Sequence, residues 1–373
     1  MRLTFPFLPD QIAVARPDPV GRPGRTVRQL RIEARKAADF GKPLAAALME
    51  SLARVLPRSG PVFACIEHWP GDLASDGVIF RLNAGLHALA LTGQAPALGA
   101  LYCEGLLLPP ALLDRTLTKA LCGHADTLLG WLAHPTQTNE VARVAGLVAA
   151  LLELGRARAM PCEVLELGAS AGLNLNVPRY AVRLGAVAAC APTSTVTLAP
   201  AWRGRAAAAG EVAITAARGV DLHPLDVAMP ADRESLRAYV WPGEVARAQR
   251  LEAAIGIARC HPPQVETGRA SAWLACRLLE HQPADTRRVV FHSMVLQYAD
   301  AAERAAIDAA FAAAGARAQP DRPLARVGIE WRPDRRAVEL RIAQWDGAGH
   351  AGESRIAAHC HPYGEWIDWH GLA

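Results

Sequence analysis

Leucines at positions 44, 48, 52 and 56 stand four residues apart, the spacing that lays apolar side chains along one face of an α-helix. The same period recurs through the first 155 residues. It predicts a helix over 31–56, a second around Leu82, Leu86 and Leu89 that Gly93 ends, and a third around Leu113, Leu117 and Leu121. Leu128 and Leu132 extend the third beyond an interruption at Gly123. A fourth covers 139–154, with Val141, Val144, Val148 and Leu151 on one face. Residues 1–30 hold five prolines and read as an irregular lead-in, and 58–76, rich in Gly, Pro and Ser, reads as a loop.

Beyond residue 161 the pattern changes to short apolar runs alternating with helical stretches. Strands are expected at 163–167, 212–221, 264–267, 288–292 and 324–331. Helices are expected within 170–184, over 232–260 in two pieces around Trp241-Pro242-Gly243, over 270–281 and over 300–314. Residues 185–210 read as an irregular insertion with short strands near 195–198, and 337–345 with 354–361 as an antiparallel pair. Alternating strands and helices imply a parallel sheet covered on both faces. The chain therefore divides into a lead-in (1–30), a helical N-terminal part (31–158) and an α/β part (159–373). Ligands in such sheets bind beyond the carboxyl ends of the strands. Those ends are Gly168, Asp221, Thr267-Gly268, His292-Ser293 and Glu330.

The stretch 164–175, V-L-E-L-G-A-S-A-G-L-N-L, is the strongest functional signal. A buried strand running through glycines into a helix forms a ligand-cradling turn: Gly168 can take a positive φ, and Gly172 lets a ligand approach the backbone. Gly168 to Gly172 spells G-x-S-x-G, the nucleophile elbow of α/β-hydrolases with Ser170 as nucleophile. It also spells E-x-G-x-x-x-G, a relaxed form of the first motif of class I S-adenosylmethionine (SAM) methyltransferases. A tight turn that binds nothing is the third reading. The dinucleotide fingerprint fits poorly, because Ser170 stands where its second glycine belongs. The hydrolase order fails too, since its elbow follows several earlier strands and none is expected here.

The seven expected strands, five in alternation and a closing hairpin, resemble the class I SAM-methyltransferase core. The resemblance implies a Rossmann-like α/β sheet of seven strands, the last antiparallel, preceded by a helical N-terminal domain. In that family an acidic residue ending the second strand holds the ribose hydroxyls, and G-V-D-L-H-P makes Asp221 the matching residue. The implied cofactor is SAM, held by Glu166, Gly168, Ser170, Gly172, Asn174 and Asp221. Two departures stand out: Ser170 replaces the middle glycine, and the third strand ends T-G-R-A where many relatives have G-D-A. Over most of its length the chain also resembles a bacterial family known only as a domain of unknown function. That resemblance rests on Q-T-N-E-V, E-L-G-A-S-A-G-L-N, G-V-D-L-H-P-L-D, V-W-P, V-F-H-S and H-P-Y-G-E-W. It supplies no activity.

Gln137, Thr138, Asn139 and Glu140 are expected either to overhang the cofactor mouth as a lid or to cap the following helix, with Thr138 or Asn139 as N-cap. His292 and Glu330, at the ends of two later strands, are the candidate general bases. His359 and His361 alternate on a strand, but zinc needs three or four ligands and no spaced partners are evident. Function is thus expected to be methyl transfer to a small molecule, the alternative being a non-catalytic nucleoside-binding scaffold.

Composition narrows this little. Hydrophobic residues make up 51% and charged residues 20%, which permits a sizeable core. The net charge of +4 is spread without basic runs, so no nucleic-acid partner is expected. The eight cysteines form no C-x-x-C, and no window reads as a signal peptide or membrane span. A cytoplasmic setting is the expectation.

Overall fold

The computed structural model describes residues 24–56, 60–104 and 109–372. Residues 1–23 of the expected lead-in lie outside the described residues. The chain opens with helices α1 (Arg25–Asp39), α2 (Pro43–Val55), α3 (Pro61–Glu67), α4 (Val78–Leu91), α5 (Pro96–Glu104), α6 (Pro110–Gly123) and α7 (Ala125–Ala133). Helix α1 begins inside the segment expected to be irregular. The Glu67 carboxylate explains this, because it accepts the N–H groups of Arg25 at 3.0 Å and Thr26 at 2.9 Å, which are otherwise orphaned at a helix start. The single helix expected over 31–56 is two, because Gly41 takes a φ of 68° and Pro43 starts α2. Helix α3 occupies the expected loop, and α5 was not expected at all. Leu30, Leu48, Leu52, Leu82, Leu117 and Leu132 form one apolar core among these helices.

Helix α8 (Val144–Leu154) is buried on every side and packs into the sheet. A helix that is apolar all round belongs in an interior. The strands are β1 (Cys162–Leu167), β2 (Ala181–Leu184), β3 (Val187–Cys190), β4 (Thr197–Leu198), β5 (Ala201–Gly204) and β6 (Ile214–Asp221). After α9 (Pro230–Ala238) and α10 (Val245–Cys260) come β7 (Val265–Thr267), α11 (Ala270–Arg277), β8 (Arg287–Ser293), α12 (Ala301–Gly315) and β9 (Leu324–Trp331). The chain finishes with β10 (Val338–Trp345), β11 (Arg355–Cys360) and β12 (Trp366–Trp369).

The fold is mixed α/β around one large, mostly parallel sheet, ordered β5-β12-β11-β10-β9-β8-β1-β6-β7. Strands β7, β6, β1, β8 and β9 run parallel, as alternation with helices requires. Beyond β9 the chain meanders, so β10, β11 and β12 each run antiparallel to the strand before. The sheet has nine strands, correcting the expected seven. One extra is β12. The other is β5, which leaves the 185–210 insertion to pair parallel with β12. Among the described residues no strand precedes Cys162, and no helix is long and apolar enough to cross a membrane.

The largest departure follows β1. The helix expected within 170–184 is a 3-10 segment, Leu173–Arg179, that leads into β2. Pro178 removes a donor from it, and Leu173, Leu175 and Val177 alternate with buried Asn174 and Asn176, a period of two that suits no α-helix. A small sheet, β3-β2-β4, fills the crossover to β6 in place of a helix.

Helix α8 approaches the sheet closely at Gly146. A Cβ there would meet Ile329 Cδ1 and Leu340 Cδ1, both at 2.8 Å. Gly146→Val should therefore lower stability by about 1–3 kcal/mol through overpacking. Guanidinium denaturation would show this as a lower midpoint at unchanged slope; an unchanged midpoint would mean that α8 can ride away from the sheet.

Candidate functional site

The turn after β1 is a hydrogen-bonded knot. Gly168, Ser170 and Gly172 have φ values of 69°, 53° and 69°. A serine in the left-handed region is strained and persists only where its surroundings hold it. Here the Ser170 N–H donates to Asp221 Oδ2 at 2.9 Å, and the Gly168 and Ala169 N–H groups donate to Val220 O. Ser170 Oγ donates to Gln137 Oε1 at 2.5 Å. Gln137 Nε2 in turn donates to His223 O at 3.1 Å and to Asp221 Oδ1 at 3.4 Å. Asp221 Oδ1 also accepts the His223 N–H at 2.9 Å. Asp221 thus binds together the ends of β1 and β6, and Gln137 ties both to the segment before α8.

These residues open on a cavity of about 460 Å³, within the range of small-molecule sites. The cavity lies beyond the carboxyl ends of the parallel strands: Gly168 and Ser170 after β1, Asp221 on β6, Gly268 after β7, Ser293 on β8 and Trp331 on β9. Phe40, Met49, Ile79 and Phe80, from the helical part, form the opposite wall. Gln137 and Thr138 line it as well.

Several expected members lie elsewhere. Gly172 does not line the cavity; its α-carbon faces Pro263 and Val265, where an added Cβ would sit 2.7 Å from each. Glu166 and Asn174 lie beneath the turn, with Asn174 Nδ2 donating to Glu166 Oε1 at 2.7 Å. Burial pushes the Glu166 carboxyl up to about 8, against the opposing pull of Asn174. Asn139 Oδ1 accepts the Leu173 N–H at 3.0 Å, steadying the 3-10 segment rather than capping a helix. Glu140 is itself the cap, accepting the Ala142 N–H at 3.1 Å. Its carboxylate also meets Arg247 at 2.6 Å and Arg250 at 3.1 Å. Burial works to raise its pKa, yet those two guanidiniums hold it below the usual carboxylate range.

His292 and Glu330 are brought together, with Nδ1 and Oε1 2.8 Å apart, but they line a second cavity of about 1140 Å³. Arg326 Nε donates to His292 Nε2 at 3.0 Å, so Nδ1 carries the proton given to Glu330. Burial lowers the His292 pKa, keeping it neutral with its lone pair occupied. It serves the sheet as a neutral bridge and does not face Ser170. Among the described residues no histidine ring is hydrogen-bonded to Ser170; its hydroxyl is given to an amide oxygen, which cannot act as the base an elbow serine needs. His361 packs against Phe40 with ring centroids 5.1 Å apart, and His359 against His370, also at 5.1 Å.

Arg143 lines the cavity and was missed. Its signal was a lone charge inside the apolar run Val141-Ala142-Arg143-Val144, at a position read simply as helix. Tyr298, also on the wall, falls between the strand expected at 288–292 and the helix expected over 300–314.

A family model described as "Uncharacterized protein conserved in bacteria (DUF2332)" matches residues 27–369. The chain belongs to this family. No curated protein and no solved structure matches it.

Glu166 gives the site a pH signature. Its folded-state pKa exceeds its unfolded value near ~4.3, so the folded state holds more protons across the interval up to about 8. Its contribution should therefore make stability fall as pH rises through that window. Glu166→Gln, uncharged and of the same shape, should flatten that fall. Melting curves across the window for both proteins check it, and parallel profiles would show that Glu166 is ionised in the fold.

Proposed function

We propose that the chain binds SAM in the cavity at the strand ends and transfers its methyl group to a small-molecule acceptor. One observation carries the reading. The glycine turn of β1 and the acidic end of β6 open together on a single cavity at the point where the parallel strands reverse order, β7-β6-β1 on one side and β8-β9 on the other.

The residues fit a nucleoside. Asp221 Oδ2 accepts one N–H, which leaves lone-pair capacity for a ribose hydroxyl. Gly168 keeps the turn narrow, since an added Cβ would lie 2.2 Å from Val295 Cγ2. Ser170 and Gln137 hold the Asp221 carboxylate in place. Bound SAM supplies a methyl group already activated on a sulfonium, so the chain has mainly to align the acceptor; positioning alone contributes roughly 7–11 kcal/mol. The apolar wall of Phe40, Met49, Ile79 and Phe80 excludes water and selects an acceptor small enough to share the cavity. The arrangement departs from the family resemblance beyond β9 and in lacking an α-helix after the glycine turn.

A second reading, a nucleoside-binding scaffold without catalysis, is favoured by one observation: His292 faces away from this cavity with its lone pair occupied. Isothermal titration with SAM, S-adenosylhomocysteine and NAD is the deciding measurement. SAM and S-adenosylhomocysteine should bind in the micromolar range and NAD should not, and Asp221→Ala should weaken SAM by about tenfold or more. Binding without S-adenosylhomocysteine release on any metabolite pool selects the scaffold. No heat with any of the three sinks both readings.

A further inference from the structure

Arg143 ends the turn Val141–Arg143 and is only 6% exposed, yet it lines the cavity. Its Nη1 donates to Ser293 O and Ser293 Oγ, each at 3.1 Å. Its Nε is enclosed and has no partner. Among the described residues no carboxylate lies within ion-pair distance of it. Of the acids whose charge bears on it, Glu140 is engaged by Arg247 and Arg250, and Glu166 is held neutral by burial. Arg247 and Arg288, equally buried, each meet a carboxylate: Glu140 at 2.6 Å and Glu163 at 2.8 Å. A guanidinium stays protonated at any working pH, and burying it uncompensated is costly. Burial accordingly drags its pKa below the ordinary value.

Arg81 lines the same cavity and, among the described residues, has no carboxylate within ion-pair distance, though the Asp76 charge acts on it. It donates Nε to Asp76 O and Nη1 to Leu132 O, both at 3.0 Å. The Tyr298 side chain feels both cations. Tyr298 is 44% exposed, and a phenol with an ordinary pKa near ~10 is protonated at neutral pH, so it is a donor here. Arg143, Arg81 and Tyr298 thus bring two cations and a phenol donor to the cavity lining. With Nη1 committed to Ser293 and Nε enclosed, Nη2 is the donor left to the cavity: among the described residues it takes no hydrogen bond, and a carboxylate oxygen is the acceptor it suits best.

We infer that Arg143 seats a carboxylate of the ligand that fills this cavity, with Nη2 donating to a carboxylate oxygen and Tyr298 as an accompanying donor. The inference deepens the proposed function and rests on it for one point, the source of the carboxylate. That source is either the amino-acid end of SAM or an acid group on the acceptor. The distance favours a ligand reaching across the sheet: Asp221 ends β6 and Ser293 ends β8, with β1 between, and two strand spacings are about 9–10 Å.

The test compares the intact protein with Arg143→Gln, Arg143→Lys and, as a surface charge control, Arg259→Gln. Three probes are titrated: SAM, 5′-methylthioadenosine, which lacks the amino-acid carboxylate, and benzoate at constant ionic strength. If SAM is the source, Arg143→Gln loses about tenfold or more in SAM affinity while methylthioadenosine affinity stays the same. If the acceptor is the source, both nucleosides bind both proteins equally, and benzoate raises the melting temperature of the unaltered protein but not of Arg143→Gln. Arg143→Lys should keep part of the response and guards against a variant that fails to fold. Benzoate stabilisation that depends on Arg143, with neither nucleoside binding, would uphold the inference and remove the SAM reading. Equal responses of the unaltered protein and folded Arg143→Gln to all three probes would overturn the inference.

Discussion

The Asp221 carboxylate accepting the Ser170 N–H is the contact on which the site depends. It joins the ends of two neighbouring parallel strands, whose own ladder stops one residue earlier. Ser170 sits in a left-handed conformation that a free chain would leave, and a charge-assisted hydrogen bond is strong enough to offset a strain of order 1–3 kcal/mol. Gln137 extends the same network to the segment before α8, so the helical wall of the cavity and the sheet floor share one set of polar contacts. The mouth is preorganised by groups that need no ligand to hold their places.

Around this polar knot the charges are sorted. Most buried acids are answered: Glu140 by Arg247 and Arg250, Glu163 by Arg288 and Arg218. Among the described residues Glu166 has no cation in contact, and burial keeps it neutral near pH 7. The second cavity follows the same logic, with Arg326 on Asp308, Arg341 on Glu339 and His350 on Asp346. Arg143 and Arg81 break the pattern in the place where five strands end. Uncompensated cations are tolerated where an anion arrives from outside, which is a different demand from the one that packing makes.

The parallel half of the sheet was legible because its strands are apolar runs bounded by glycine and proline; β9 falls on the expected 324–331. Gly168 and Ser170 were legible because an apolar strand runs straight into a glycine turn, and Asp221 because a carboxylate ends the next strand of the alternation. The rest was hidden for specific reasons. Alternate apolar residues at 173, 175 and 177 were counted as helix although their period is two, and Pro178 was given too little weight. Strand β5 is four residues long and pairs with a partner far along the chain, which no local pattern reveals. His292 and Glu330 were placed correctly on strand ends, but which cavity a side chain faces depends on the sheet's two sides, and Gly328 lets the His292 ring lie flat against β9 on the far one.

The pairing of β5 with β12 bears on how the molecule assembles. Ala201 lies opposite Trp366, and Trp202 packs on Trp369 with ring centroids 5.7 Å apart. The crossover between β1 and β6 therefore cannot reach its final path until the end of the meander has arrived. A nascent chain emerging from the ribosome would hold the glycine turn for most of its synthesis without the edge that closes its insertion. Contacts of such long sequence separation slow folding and leave partly built sheet edges exposed meanwhile. The edge that closes the 185–210 insertion is then among the last parts of the sheet to form.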